Sequence, residues 1–342
     1  MATHRAAVIA RKAAEMLRMD MPGQNQPLSG GAKSTVRLRL LSRRMIILLH
    51  LVRSSGRLTY GRDTGISEFD WRVILETGIY GQPLVSELAG LLDVDKAQVS
   101  RAVNRLIASG LLHRPKLRDP VRLSADGQRL YERLRQLALA RNRMLLAGVP
   151  ADHMPVIRSA LAKVGRAAEA LLEEEREGPT PSAMALPQAA ADDSLGGLII
   201  PEMLVTVRTI RRGTVPAYKR LSGLSDLEWI VLAWIYDGEP LTLTELIARM
   251  ERDKSQIGRV IKRMLEIGLV DKDESAPRRI LLSVTEKGRE VFHQLELEAR
   301  RRDDIYRASL TGEEDRILGE AVDQMIRNAE QILSYERAIA AH

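Results

Sequence analysis

The sequence predicts a mainly α-helical protein in which one structural unit, carrying a small β-hairpin, occurs twice in tandem. Three observations support this prediction. Residues 95–114, DKAQVSRAVNRLIASGLLHR, and residues 253–272, DKSQIGRVIKRMLEIGLVDK, are identical at seven of twenty positions. The flanking segments also match, at an offset of 158 residues before these stretches and 161 residues after them. Apolar residues recur at helical spacing through most of both copies.

The repeat divides the chain into two domains. With 342 residues the chain is long enough for about two domains of ordinary size. We place the first at 33–176 and the second at 198–342, because the matching segments lie there. Residues 177–197 are rich in Pro, Ala, Gly and Asp and have no sustained apolar period, which is typical of a linker. Residues 1–32 are expected to form a flexible N-terminal extension.

Composition excludes several classes of protein. The absence of cysteine excludes disulfides and cysteine-bound zinc. The longest apolar run, WIVLAWIY, is far shorter than the roughly 18 residues that a membrane-spanning helix needs, and no secretory signal is present, so a cytoplasmic protein is expected. A net charge of +7 favours a polyanionic partner. An aromatic content of 4% argues against base stacking on single strands, so duplex DNA is the better candidate.

Each copy is expected to contain a long first helix, three short helices, a hairpin and two long helices. In the first copy the helices are predicted near residues 33–54, 67–80, 84–92, 95–109, 125–147 and 151–176. The strand candidates are LLHRP with VRLS in copy one and LVDKD with RRILLSV in copy two. Three short helices followed by a two-stranded hairpin make a winged helix-turn-helix. Thr311 and Glu314 form a capping-box pattern, which predicts a helix start.

The repeated segment has the pattern of a helix with one buried side and one basic side. The apolar side is Val99, Ala102, Val103 and Leu106 in copy one and Ile257, Val260, Ile261 and Met264 in copy two. The outward side is Lys96, Gln98, Arg101 and Arg105 in copy one and Lys254, Gln256, Arg259, Lys262 and Arg263 in copy two. Asp95 and Asp253 are expected to cap the N-termini, and Gly110 and Gly268 to end the helices.

These outward side chains suit the major groove of DNA. The two glutamines match the donor and acceptor pair of adenine, Arg101 and Arg259 suit guanine or a phosphate, and the lysines suit phosphates. A solvated helix face is the alternative interpretation. It gives no reason for Lys, Gln, Arg and Arg to recur 158 residues later while neighbouring surface residues differ. Recurrence therefore favours nucleic-acid recognition.

The hairpin tips are expected to act as wings that touch the phosphate backbone or the minor groove. Their candidate contacts are Arg114, Lys116 and Arg118 in copy one and Arg278 and Arg279 in copy two. Residues 95–124 hold seven basic and two acidic residues, a net charge of +5, whereas residues 253–283 hold seven and five, a net charge of +2. Unequal halves are expected.

The chain resembles the MarR family of bacterial transcriptional regulators, as two such domains fused head to tail. The resemblance rests on a Trp-centred helix (FDWRVI and LEWIVL), the DK-x-Q-[VI]-x-R helix, a Gly-Leu turn, a basic wing and an [ST]-x-x-G helix start. It implies that winged-helix lobes read an operator, that the terminal helices form a dimerisation region, and that a small aromatic or phenolic effector releases the DNA, as in a repressor. No cofactor is expected.

Two features of the fusion stay open at this stage. The repeats could pair within one chain as an internal pseudo-dimer, or two chains could form a homodimer with four lobes. An effector pocket is predicted from the aromatic residues Tyr60, Trp71, Tyr80, Tyr218, Trp229 and Trp234. The alternative is that Trp71 and Trp229 simply belong to the core beneath the second helix of each copy.

Other functional classes find less support. The six histidines lack metal-ligand spacing, and no nucleophile elbow, phosphate-binding loop or dinucleotide glycine motif occurs, so no catalytic residue is proposed. The alternative to a DNA reader is a protein-interaction scaffold or co-regulator whose winged helices do not bind DNA.

Overall fold

The computed structural model describes residues 40–92, 94–175, 197–250, 254–273 and 280–341. The predicted N-terminal extension and nearly all of the predicted linker lie outside these ranges. So do the predicted cap Asp253 and the wing residues Arg278 and Arg279. No helix in the described ranges is long and apolar enough to span a membrane.

The first repeat follows the predicted order of elements. They are α1 (Leu41–Thr64), α2 (Glu68–Tyr80), α3 (Val85–Leu92), α4 (Lys96–Ala108), β1 (Leu112–His113), β2 (Arg122–Leu123), α5 (Ala125–Leu145) and α6 (Met154–Glu174). The strands pair antiparallel as the expected hairpin. The bounds of helices two to six agree with the prediction to within a few residues.

The first helix corrects its prediction of 33–54, because it continues to residue 64. The stretch SSGRLTYG has the composition of a helix end, yet Ser55 and Gly56 are buried in the structure. Arg141 of α5 donates hydrogen bonds to the hydroxyls of Ser55 and Thr59, both at 2.7 Å. Long-range contacts to α5 therefore extend α1 beyond the point that local composition suggests.

The second repeat adds one strand to the same plan. Its elements are α7 (Ile199–Ser222), α8 (Asp226–Gly238), β3 (Leu241–Thr242), α9 (Leu243–Met250), α10 (Lys254–Glu266), β4 (Val270–Asp273), β5 (Leu281–Val284), α11 (Glu286–Ala308) and α12 (Gly312–Ala340). The sheet has the order β3-β5-β4, whereas a two-stranded hairpin was expected. In the first repeat Pro83 occupies the position of Leu241 and has no N–H to donate to a ladder. The predicted capping box at Thr311 is confirmed.

The buried apolar residues form three cores. One lies in lobe 1, which consists of α2–α4, β1, β2 and the start of α5. A second lies in lobe 2, which consists of α8–α10, β3–β5 and the start of α11. The third, the central core, combines side chains of α1, α6, α7 and α12 from both repeats. The chain is thus two lobes on one shared helical base.

In the central core, helices of one repeat pack against helices of the other. Helix α12 packs along α1, and α6 packs along α7, so the last helix of each repeat covers the first helix of the other. Ion pairs follow the same exchange: Arg62 of α1 pairs with Glu336 of α12 at 2.5 Å, and Arg220 of α7 with Glu175 at 3.6 Å. The arginines are 158 residues apart and the glutamates 161, which are the offsets of the repeat. The two repeats are therefore related by an approximate two-fold axis.

Candidate nucleic-acid interface

The best-defined candidate site is the outward face of α4. The side chain of Asp95 accepts a hydrogen bond from the backbone N–H of Ala97 at 3.1 Å, so the expected N-cap is confirmed. The apolar stripe is also confirmed, since it is buried in lobe 1. Burial of that stripe leaves Lys96, Gln98 and Arg101 exposed at the N-terminal end of the helix. All three side chains therefore extend from the same side of lobe 1.

Helix α10 presents the equivalent face in lobe 2. Its residues Lys254, Arg259 and Lys262 are exposed, whereas Gln256 is half-buried. Lys262 also lies 3.9 Å from Glu266, one turn further along the same helix. The face of lobe 2 is therefore more neutralised than that of lobe 1.

Arg105 and Arg263, both predicted to contact DNA, already have partners within their own lobes. Arg105 Nη2 lies 2.7 Å from Asp70 Oδ1, and Arg263 Nε lies 2.6 Å from Glu228 Oε1. Both carboxylates lie in the first turn of the preceding Trp-containing helix. Asp70 and Glu228 are 158 residues apart, so the alignment of the repeats carried a signal for this ion pair that sequence reasoning missed. These arginines fix α4 to α2 and α10 to α8.

The wing of lobe 1 continues the basic face of α4. Arg114 Nη2 donates a hydrogen bond to Asn104 Oδ1 of α4 at 3.3 Å, and this bond joins the base of the wing to that helix. At the tip, the backbone N–H of Asp119 donates to the carbonyl of Lys116 at 3.0 Å and closes a turn. Lys116 and Arg118 are exposed there. Helix and wing thus form one positively charged surface.

A large cleft separates the two lobes from the central helices. Its volume is about 2020 Å³, and all three tryptophans of the chain line it, together with Tyr60 and Tyr218. Trp71 packs against Tyr60 at a centroid distance of 4.5 Å, and Trp229 meets Tyr218 edge-on at 5.4 Å. Trp71 and Trp229 therefore pack against tyrosines of α1 and α7 and also line the cleft.

Tyr80 departs from the predicted pocket. It is half-buried near the end of α2 and is not among the residues that line the cleft in the described part of the chain. Five aromatic residues remain of the six that the sequence grouped together. The indole Nε1 of Trp71 is buried and has no hydrogen-bond partner among the described residues.

The two ends of the cleft differ in charge. On the side of lobe 1, burial raises the pKa of Glu76 to about 7, against the opposing effect of Arg208 and Arg72. Arg208 belongs to α7 of the other repeat, so this cluster spans both halves of the molecule. At the positions of Glu76 and Arg72, the second repeat has Trp234 and Ile230. The lobe 2 end instead carries a different pair, Arg43 and Asp237, whose side chains lie 3.9 Å apart, so the two ends have different charged groups.

The fold and the exposed basic helices define a two-lobed winged helix-turn-helix protein. Residues 64–120 and 222–280 each match the model of the MarR family, and the matches include α4 and α10. Each repeat therefore contains a segment that matches the MarR family. No curated protein matches the chain.

Several solved structures are similar to parts of this chain. A MarR protein from Peptoclostridium difficile is 23% identical, with 46% of this chain and 99% of that chain covered and a TM-score of 0.35. A putative MarR family transcriptional regulator from Listeria monocytogenes, complexed with 26mer DNA, is 22% identical, with 41% and 94% covered and a TM-score of 0.35. MarR from Staphylococcus aureus, in complex with salicylate and kanamycin, is 20% identical, with 34% and 81% covered and a TM-score of 0.31.

Proposed function

We propose that the protein is a transcriptional regulator, acting as a repressor in the cytoplasm, that binds double-stranded DNA with both lobes of one chain. The observation that carries the proposal is the recurrence of an exposed Lys and Arg at the same places on α4 and α10. Residues near the N-terminus of such a helix reach base edges when the helix enters the major groove. In this proposal Lys96 and Lys254 bind phosphates, while Arg101 and Arg259 bind guanine or phosphate.

The central core supports one chain per operator. MarR-type dimerisation surfaces would be the first and last helices, and here these helices already cover one another across the repeats. We expect a mass near 38.2 kDa by light scattering, and twice that value would contradict a monomeric pseudo-dimer. The unequal charge of the lobes supports an operator with two different half-sites, which footprinting would reveal.

The test is a titration of fluorescent fragments spanning the promoter of the protein's own gene, at two salt concentrations and with stoichiometry recorded. The decisive variant is Arg101→Glu, because Arg101 is exposed and, unlike Arg105, has no ion pair with any residue that the structure describes. Arg316→Glu is the control for charge reversal away from α4, and because exposed Arg316 pairs with Glu320 at 2.9 Å its thermal stability is measured alongside. We expect Arg101→Glu to weaken binding by about tenfold or more and to lower the salt slope by about one phosphate contact.

The result also separates a DNA reader from a scaffold. Equal affinities for wild type, Arg101→Glu and Arg316→Glu, or weak binding that ignores sequence, would favour the scaffold. The acidic residues near the wing of lobe 2 are the feature that favours this alternative.

We further propose that a small aromatic effector occupies the cleft and releases the DNA. The cleft is bounded by both lobes and by the central helices, so a ligand there contacts parts that must keep a fixed spacing on DNA. Because all three tryptophans line the cleft, intrinsic fluorescence reports occupancy directly. Titration with phenolic acids such as salicylate should quench this emission and lower DNA affinity. A panel that changes neither quantity would contradict an aromatic effector.

A further inference from the structure

Leu117 occupies an unusual position at the tip of the lobe 1 wing. It exposes 78% of its surface, more than any other large apolar side chain in the described residues. A single exposed leucine is common on protein surfaces, so Leu117 is distinguished by the turn that holds it outward and by the two cations beside it.

The backbone around Leu117 does hold it outward. Leu117 and Arg118 are the two central residues of the turn that the hydrogen bond from Asp119 to Lys116 closes. Pro115 and Pro120 flank this turn, and each restricts the backbone at its position. Below the tip, Val121 is completely buried, and its N–H donates to the carbonyl of Pro83 at 2.9 Å. The tip is therefore anchored at its base and its leucine points away from the lobe.

The charges around the tip indicate what it meets. Lys116 and Arg118 are exposed on either side of the leucine, and Arg114 connects the wing to Asn104 on the outward face of α4. An apolar side chain between two cations suits the minor groove of a duplex, where phosphates lie on both sides of the stacked base pairs. Proteins that insert an apolar residue between base pairs in this way kink the duplex by about 20° or more.

We propose that Leu117 is a wedge that inserts between base pairs in the minor groove beside the site occupied by α4, and so kinks the operator on the side of lobe 1. This inference rests on the proposed function and adds the residue that deforms the DNA. The wing of lobe 2 has the sequence ESAPRR between Asp273 and Ile280, without a large apolar residue. Only the half-site bound by lobe 1 is therefore kinked, which makes the operator asymmetric.

The experiment uses the full chain and the duplex that wild type binds in the titration described above. Energy transfer between labelled ends measures the bend, and 2-aminopurine placed at successive steps reports unstacking. The variants are Leu117→Ala, Leu117→Gln and Leu117→Met. Leu297→Ala is the matched control, because Leu297 is a leucine of α11 with 67% exposure, away from the wing.

We expect Leu117→Ala and Leu117→Gln to straighten the duplex, abolish the 2-aminopurine signal and weaken binding about tenfold, the effect of losing one buried leucine. Leu117→Met should keep both signals, and Leu297→Ala should match wild type. The salt slope should stay unchanged in Leu117→Ala, since no phosphate contact is lost, whereas Lys116→Ala should lower it by about 0.9.

Two results would overturn the inference. If Leu117→Ala binds and bends the duplex like wild type, Leu117 does not insert, although the proposed function stands; a simultaneous change in the mass of the free chain would then assign the leucine to a protein contact. If wild type does not bind duplex DNA at all, both the wedge and the proposed function are wrong.

Discussion

Asp303 of α11 accepts a hydrogen bond from the backbone N–H of Leu41 at 3.1 Å, although the two residues are 262 positions apart. It also accepts from the N–H and the hydroxyl of Ser42, at 2.9 and 2.7 Å. The N-terminus of α1 is therefore capped by the other repeat. At the corresponding place, Asn142 of α5 accepts from the N–H of Ile199, the first residue of α7, at 3.2 Å. Each repeat caps the first helix of its partner.

This exchange predicts a large loss of stability when Asp303 is truncated. Asp303→Ala removes a helix cap and leaves buried donors unpaired, which together should lower the free energy of unfolding by about 2–4 kcal/mol. Urea denaturation measures the loss. Asp304→Ala is the control, because Asp304 is adjacent but exposed. Equal stabilities of the two variants would show that the cross-repeat cap contributes little.

Gly78 should not tolerate alanine, even though alanine normally stabilises the interior of a helix by about 1 kcal/mol. A Cβ at position 78 would lie 2.2 Å from the ring of Tyr131, which packs against α2. We expect a net destabilisation of about 1–2 kcal/mol, since overpacking costs more than the helix propensity returns. Gly61→Ala in α1 is the control: no atom lies within 4 Å of its Cβ, so it should stabilise the chain. Thermal denaturation of both variants tests the difference in sign.

Because of Glu76, we expect the free energy of unfolding to fall as the pH rises from about 4.5 to about 7. Burial raises the pKa of Glu76 to about 7, against a value of 4.5 for the ordinary group. Between these values the folded chain holds a proton that the unfolded chain has lost, so folding becomes less favourable as the pH increases. Above pH 7 the full cost, on the order of 1–3 kcal/mol, applies.

Glu76→Gln should remove that pH dependence. At pH 8 the variant is expected to be more stable than wild type, and at pH 4.5 about equal to it. Denaturation midpoints at several pH values measure both curves, with Glu290→Gln as a control at an exposed carboxylate. Parallel curves for Glu76→Gln and wild type would argue against the buried, protonated carboxyl.

Asp70→Asn is expected to strengthen DNA binding. The substitution removes a negative charge beside α4 and releases Arg105 from its 2.7 Å ion pair. Arg105 is exposed enough to reach a phosphate once it is free. We expect affinity to rise a few-fold at low salt, with a steeper salt slope, because one more phosphate is neutralised. Stability should fall by about 0.2–1 kcal/mol, the usual contribution of an exposed pair.

The opposite result would be informative as well. Weaker binding by Asp70→Asn would mean that the ion pair positions α4 for DNA and that this role exceeds the gain in charge. Arg105→Ala distinguishes these cases, since it should weaken binding in the Asp70→Asn background only if Arg105 itself reaches DNA.

Elements whose causes are local can be predicted from the sequence alone. The duplicated segment, the apolar stripe of α4, its cap at Asp95 and the capping box at Thr311 depend on residues a few positions apart, and the structure confirms each one. The exposed basic face follows from the same periodicity, because burying one side of a helix exposes the other.

Which helices pack together depends on contacts between distant parts of the chain. An amphipathic stripe indicates that one face of a helix is buried, but it does not indicate which helix covers that face. The packing of α6 and α12 on helices of the other repeat therefore has no local signal. The length of α1 depends on Arg141, some 80 residues away, and the third strand of lobe 2 depends on pairing with β5. Arg105 was predicted to contact DNA because its partner Asp70 lies in another helix, and the local sequence around Arg105 does not reveal that ion pair. Charge patterns in a sequence reveal a basic face, whereas contacts across the fold determine which of its charges are already neutralised.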